Sequence, residues 1–366
     1  MKEIHESNRI TDFELTVITM NELDKWEQIV KSFDTYDVYY LPEYVKAFEM
    51  HGDGEPNLVY YQDGQIRALN VVMKRDIAES PLFNTKIPPQ TYFDFATPYG
   101  YGGFLIEGNI NQLSIEKLNN EYTNYCKNQG IVSEFVRFHP VLNNCDSLKE
   151  IYDITRLGKT ITMYLDSRET IWNLISSKNR NVIRKAKKSG VEIYWGRDQK
   201  LFKEFIKLYN ATMDKDNADQ YYYFGEEFYS SILNDLKYNS LIFYAVYQEK
   251  IIAMSIILFA NQQMHYHLSG SDRNFQHLAP TNLLLYEAAC WGCENGYRTF
   301  HLGGGLGSQE DSLYKFKKAF NKNSNTFFSI GKKIFNEEKY NQLLNIRKNL
   351  ESLNEASNFF PLYRKN

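Results

Sequence analysis

Apolar and polar positions fall into two blocks that share one order of elements. The first opens on a helix-like Leu41–Met50, then apolar Leu58–Tyr61, the turn Gln62–Asp63–Gly64 and apolar Ile66–Met73. Asp-Gly between two strand-like runs predicts a hairpin, because both residues accept the positive φ of a tight turn. In the second block Leu241–Tyr247 and Ile251–Phe259 flank Gln248–Glu249–Lys250 in the same way. Both blocks also end alike. Ile115–Asn128 has helical periodicity, stops at Gly130 and leads into strand-like Ile131–Phe138. Thr281–Asn295 stops at Gly296 and leads into Tyr297–Leu302. A glycine just past a helix is a left-handed cap, so each block reads helix, glycine, strand.

This faint repeat predicts an α/β (α+β) fold of two similar units, each a mixed, mostly antiparallel sheet flanked by helices. The expected boundaries are 12–154 and 155–333, with a helical tail over 334–366 that packs back on the body. Between the blocks Ile161–Leu165 reads as a strand, and Asp166 or Ser167 can cap a helix beginning near Glu169. Glu337–Ser352 reads as a last helix. No Pro-rich or low-complexity stretch separates the blocks, so a packed interface is expected in place of a tether.

Composition narrows the class. The 366 residues are 43% hydrophobic and 24% charged, which excludes disordered and collagen-like chains. A net charge of −3 makes any basic surface a local feature. Four cysteines are too few for a disulfide scaffold, and the opening Met1–Arg9 is polar, unlike a secretory signal. The longest apolar stretch, around Ile251–Ala260, is far short of the roughly 20 residues of a membrane helix. The expected location is the cytoplasm, with a substrate at the inner face of the membrane left open. The oligomeric state is not legible.

Against the acidic balance, Ser177–Gly190 holds six basic residues and no acidic one. On a helix Arg180, Arg184 and Lys187 or Lys188 share an exposed face, while Val182, Ile183 and Ala186 turn inward. Guanidinium groups fork onto phosphate, so a phosphate-bearing ligand is the natural partner; a merely solvated stripe is the plain alternative. Pro98-Tyr99-Gly100-Tyr101-Gly102-Gly103 packs three glycines and two tyrosines into six residues, which suits close backbone approach and ring contacts to a ligand, or an ordinary loop. Neither His301–Gly307 nor Gly158-Lys159-Thr160 fits a nucleotide-binding loop. Cys290 and Cys293 have redox spacing but fall inside an apolar helix, where they read as structural. His265 and His267 share a strand face and His301 could join them, yet no carboxylate or cysteine pattern accompanies them, so no metal site is assigned.

From Ser177 to Phe320 the ordered pieces resemble the FemABX family of non-ribosomal peptidyltransferases, built from two domains of the GNAT acyltransferase type. The pieces are Asn179–Ala186, Leu278–Leu284, the Gly296–Gly305 helix exit and strand, and Asp311–Phe320, which is similar to the family's Phe-Lys-x-x-Phe element. Pro98–Gly103 resembles a loop of the wider Fem-like group found in envelope and polysaccharide gene sets. Two departures stand out: no sustained heptad marks the coiled-coil arm of some members, and Asn321 stands where a glycine often follows the Phe-Lys-x-x-Phe element.

The resemblance implies transfer of an aminoacyl or acyl group to an amine of a peptidoglycan or polysaccharide precursor. It implies no tightly bound cofactor and a donor that is aminoacyl-tRNA or acyl-CoA. Acyl-CoA enzymes of the GNAT type hold pyrophosphate on amides of a glycine-rich loop that opens a helix. Here that place reads Gln276-His277-Leu278-Ala279-Pro280-Thr281, with alanine for a glycine and a proline that lacks an amide, which shifts weight toward tRNA. Lys317 is the expected catalytic cation. Arg180 and Arg184 are expected to clamp phosphates, and Tyr99, Tyr101, Tyr222 and Asn282 to line the substrate cleft. No general base stands out. Two rivals remain: an acetyl-CoA-dependent N-acetyltransferase acting on a nucleotide-linked amino sugar, and a non-catalytic module that grips RNA or a sugar nucleotide. Lys317 and the two arginines meeting in one cleft favours catalysis; their divergence favours the module.

Overall fold

In the computed structural model, which describes residues 14–350 and 359–365, both hairpins fold at the turns the sequence marks. The first half runs β1 (Glu14–Thr19), α1 (Leu23–Ser32), α2 (Pro42–His51), β2 (Glu55–Gln62), β3 (Ile66–Asp76), β4 (Phe93–Ala96), β5 (Leu105–Gly108), α3 (Gln112–Asn128) and β6 (Ile131–Arg137). Then come β7 (Asp153–Tyr164), α4 (Arg168–Leu174), α5 (Ser177–Lys188), β8 (Glu192–Gly196), α6 (Gln199–Asp216) and α7 (Glu226–Asn234). The chain continues through β9 (Ser240–Tyr247), β10 (Lys250–Ala260), β11 (Gln263–Ser271), α8 (Pro280–Glu294) and β12 (Thr299–Gly303). It closes with α9 (Ser312–Lys318), β13 (Thr326–Ile334) and α10 (Glu337–Leu350). The last two positions of the expected Glu337–Ser352 helix lie outside the described residues, as do residues 12 and 13 at the start of the expected first unit.

Thirteen strands form one mixed sheet, ordered β1-β2-β3-β4-β6-β13-β7-β12-β11-β10-β9-β8, with β5 beside β3. Among the described strands only β4 with β6 and β11 with β12 pair in parallel. Each parallel pair is joined through a helix, α3 in the first case and α8 in the second, because a parallel crossover needs a long connection. Gly130 and Gly296 stand just past these helices at φ 70° and 81°. The repeat read from the sequence is therefore visible in the two hairpins and in the helix, glycine and parallel strand that follow each, while β5 has no counterpart in the second half.

At the middle the two halves exchange strands. β7 follows β6 in the chain but pairs with β12, and β13 follows β12 but pairs with β6. The two exchanged strands also pair with each other, over Asp153–Thr160 and Thr326–Lys332. One face of the sheet carries a core common to both halves. Trp26, Phe48, Phe205 and Phe228 of α1, α2, α6 and α7 pack there with Leu69, Met73, Met254 and Ile256. On the opposite face the cores are separate, one under α3 and one under α4, α5 and α8. Tyr340 and Leu343 of α10 pack with Tyr363, whose neighbour Arg364 binds the buried carboxylate of Asp94 at 2.5 Å.

Because β13 completes the first half and β7 the second, neither half can satisfy its edge alone. Expressed separately as 1–165 and 166–366, so that each lacks the strand that closes its inner edge, the halves are expected to lack native structure, and the intact chain to melt in one cooperative transition. Calorimetry and circular dichroism check this; two independently folded halves would overturn it.

Candidate functional site

The parallel pairing of β11 and β12 lasts for three residue pairs, from Gln263 with Thr299 to His265 with His301. Beyond it β11 continues to Ser271 while β12 ends at Gly303, so the sheet opens into a wedge. A cavity of about 500 Å³ occupies this opening, lined by His267 and Gly270 of β11, Thr281 and Asn282 of α8, Thr212 of α6 and Lys317 of α9.

Lys317 is buried, and its Nζ donates to the Gly304 carbonyl at 2.7 Å. Burial pulls its ammonium down to about 8, only partly opposed by Asp311. The glycine loop makes this seat. Gly303 holds φ 78°, and a Cβ there would stand 3.3 Å from Nζ. Asp311 caps α9 through Tyr314 N–H at 2.8 Å and also receives Leu306 N–H at 3.2 Å, which ties the loop to the helix. Asn321, in the place of a glycine, is buried and donates to the Thr162 carbonyl at 2.6 Å, pinning the following loop to β7.

Asn282 lines the same cavity and donates to Asn179 Oδ1 at 2.8 Å, linking α8 to the start of α5. The opening of α8 is poor in free amides. Pro280 has none, and the Asn282 and Leu283 amides turn to the Ala279 carbonyl at 3.2 and 3.4 Å. Ala279 itself is left-handed, at φ 50° and ψ 48°.

Arg180 and Arg184 do not enter the cavity. Arg184 is exposed, as expected, with its guanidinium over the Trp172 ring at 5.0 Å. Arg180 is half-buried, contrary to the expected exposed face, because it donates to the Trp172 carbonyl at 3.3 Å. Ile183 and Ala186 are buried as expected, whereas Val182 is only half-buried.

Tyr99 and Tyr101 stand at the seam between the halves. Tyr99 stacks on Phe48 at 5.4 Å and meets His267 edge-on at 5.6 Å, while Tyr101 meets His301 at 5.2 Å. Tyr222 is 37% exposed and reaches Tyr99 at 6.4 Å, so it borders the same aromatic wall. Cys290 is buried in α8 with its thiol pushed up to about 11 by burial, and Cys293 is half-buried. Both are free thiols within the helix, as the sequence reading expects.

The sequence reading missed a buried polar cluster beside this wall. Asp37, just ahead of α2, accepts from His139 Nε2 at 2.9 Å and His265 Nε2 at 2.7 Å through one oxygen. Its other oxygen takes the Val38 N–H at 2.5 Å. Burial alone would raise the Asp37 carboxyl, but the field of His265 and the two imidazole bonds hold it well below the usual range. The Leu142 N–H donates to His139 Nδ1 at 3.1 Å, so Nε2 carries that ring's proton. The three side chains bring ligand-type atoms within 4.8 Å of one another. Yet a neutral His139 has no lone pair left at Nε2, so the geometry is a carboxylate clamped by two donors and not a metal seat. It bridges the halves, since Asp37 and His139 belong to the first and His265 to the second. No spacing in the sequence announces it.

Residues 176–318 match the family described as Acetyltransferase (GNAT) domain. This segment is similar in sequence to GNAT-type domains. It contains α5, β8 to β12 and α9, and hence the wedge and the Lys317 seat. Over the whole chain the fold is similar to that of FemX, with 16% identity, a TM-score of 0.64, and 90% of this chain and 99% of that one covered. It is also similar to L-PGS from Bacillus licheniformis, at 13% identity, TM-score 0.52 and coverage of 89% and 95%. A third relative is the C-terminal domain of a putative lysylphosphatidylglycerol synthetase from Agrobacterium fabrum, at 12% identity, TM-score 0.51 and coverage of 90% and 96%. At these identities the likeness is one of fold, and it agrees with the Fem-like resemblance read from the GNAT segment. No curated protein matches. Among the described residues no helix is long and apolar enough to cross a membrane.

Burial holds His139 and His301 below the ordinary imidazole range and lowers His267 to about 3. The unfolded chain takes up protons below about pH 6.5 that the folded imidazoles refuse, so stability falls as pH drops through that value. The depressed Asp37 carboxyl adds to the loss below about pH 4. Melting temperatures between pH 7.5 and 4 should decline steadily, and less steeply in His267→Gln; a flat profile would contradict the cluster.

Proposed function

We propose that the protein transfers an acyl or aminoacyl group from an activated donor to an amine of a peptidoglycan or polysaccharide precursor. The observation that carries this reading is the buried Lys317 ammonium, seated on the glycine loop at the wedge of a GNAT-type domain. One of its three N–H donors is spent on Gly304, which leaves two for the oxyanion that forms when an amine attacks a carbonyl. In water-poor surroundings such a contact is strengthened. The His267 ring, which burial keeps neutral, lines the same cavity.

For the donor, the start of α8 favours aminoacyl-tRNA over acyl-CoA. Only the Thr281 amide remains free of the first turn, where pyrophosphate would need several. The start of α5 is joined to the end of α9, since Ser176 N–H bonds the Ala319 carbonyl at 2.9 Å. The basic residues farther along α5 offer contacts to a phosphate backbone. The name of the Agrobacterium relative, a putative lysylphosphatidylglycerol synthetase, joins a lysyl group to phosphatidylglycerol, which supports aminoacyl chemistry on envelope components. That Arg180 and Arg184 stand outside the cavity leans toward a gripping module without catalysis; Lys317, Asn282 and His267 sharing one cavity weighs more heavily.

Purified protein incubated with labelled charged tRNA or acetyl-CoA and a panel of amine acceptors tests the reading, and binding without transfer would leave the module. Lys317→Met is expected to lower kcat by about a hundredfold to a thousandfold with a smaller effect on KM. Since the acting form is the ammonium, with its pKa near 8, the rate should fall as pH rises through about 8. Lys317→Arg should move that alkaline limb upward, because guanidinium stays charged. Turnover of Lys317→Met within a few-fold of wild type would remove the lysine from the mechanism.

A further inference from the structure

Arg137 ends β6 at the seam, opposite Ile330 of β13. Its guanidinium lies over the ring of Tyr99 at 5.6 Å and that of Phe328 at 5.8 Å. The residue is half-buried, and among the described residues no hydrogen bond or ion pair engages this side chain; its backbone is bonded, the N–H to Thr97 Oγ1 at 2.9 Å and the carbonyl to Gly102 N–H at 2.8 Å. Ring faces attract the charge but leave five in-plane N–H donors without acceptors, a costly state in partly dry surroundings. The nearby carboxylates are committed elsewhere. Asp53 accepts from the Tyr221 hydroxyl at 2.8 Å, and Asp37 is filled by two imidazoles and a backbone amide.

Tyr99 connects this cation to the cavity. One contact of its ring is Arg137 and another, also at 5.6 Å, is His267, which lines the cavity with Lys317. We propose that Arg137 is the anchor for an oxyanion of the acceptor, a carboxylate or phosphate carried about one ring's breadth from its reactive amine. The planar fork of guanidinium fits either anion, and Tyr99 supplies the wall against which the linking atoms lie. The role as acceptor anchor rests on the acyltransfer reading; the anion site itself does not.

Calorimetric titration without donor tests the site, using O-phosphoethanolamine, β-alanine and ethanolamine as phosphate, carboxylate and neutral probes. Wild type should bind at least one anionic probe more tightly than ethanolamine, and which one binds tells phosphate from carboxylate. Arg137→Gln, checked by melting for intact fold, should weaken that probe at least tenfold and leave ethanolamine unchanged. Arg137→Lys, which keeps the charge but loses the fork, should fall between. Anionic probes that bind wild type no better than ethanolamine, or bind Arg137→Gln equally well, would overturn the proposal. If every donor fails in transfer assays while Arg137→Gln still loses the anionic probe, the acyltransfer reading falls and the anion site stands.

Discussion

The structure depends on the reciprocal exchange of β7 and β13. A sheet edge left open exposes a row of unpaired amides and carbonyls, and here each half closes its inner edge with a strand from the other. The exchange fixes the seam in register, so side chains from both halves can be placed against one another without a mobile linker. Tyr99 on His267, Tyr101 on His301 and Arg137 on Phe328 are contacts of this kind. A tethered pair of domains would have to order such contacts at an entropic cost each time.

Burying Asp37 between two histidines adds specificity to that register. A carboxylate removed from water is unfavourable unless its oxygens are filled, and only one alignment of the halves brings His265 to the oxygen already held by His139. The same dryness depresses Lys317, whose ammonium has a single carbonyl partner. Seam and site thus share one physical condition, scarce water, which makes mispairing costly in the first and electrostatic contacts strong in the second.

The elements were legible where local chemistry decides them. The Asp63–Gly64 turn, the glycines after α3 and α8, Ser167 as a cap and the apolar runs of β9 and β10 all act within a few residues. Lys317 and Asn282 could be singled out because they sit in ordered pieces resembling a known family, and the cavity unites them. Asp37, His139 and Arg137 carry no such signal. Asp37 lies far in sequence from Arg137 and His139, and the three gain meaning only when β6 docks on β13 and β11 passes Asp37. Arg180 illustrates the converse: helical spacing put it on an outer face, but α4 brings the Trp172 carbonyl within reach and draws it partly in.

The repeat also explains why one half is open at its parallel pair and the other is filled. In the second half the parallel strands part after three residue pairs, and the opening is the cavity. In the first half β4 and β6 part in the same place, but the Pro98–Gly103 loop turns back into the gap. Gly102 N–H bonds the Arg137 carbonyl at 2.8 Å, and Asn144 donates to the Gly102 carbonyl at 2.9 Å. A Cβ on Gly102 would come within 2.8 Å of Thr97, so the loop closes only because that position is bare. Plugging this wedge removes a second cavity and aims the two tyrosines of the loop across the seam at the open one. The repeat gives two similar openings; one is filled by its own loop, which sets Tyr99 and Tyr101 against the histidines of the other half.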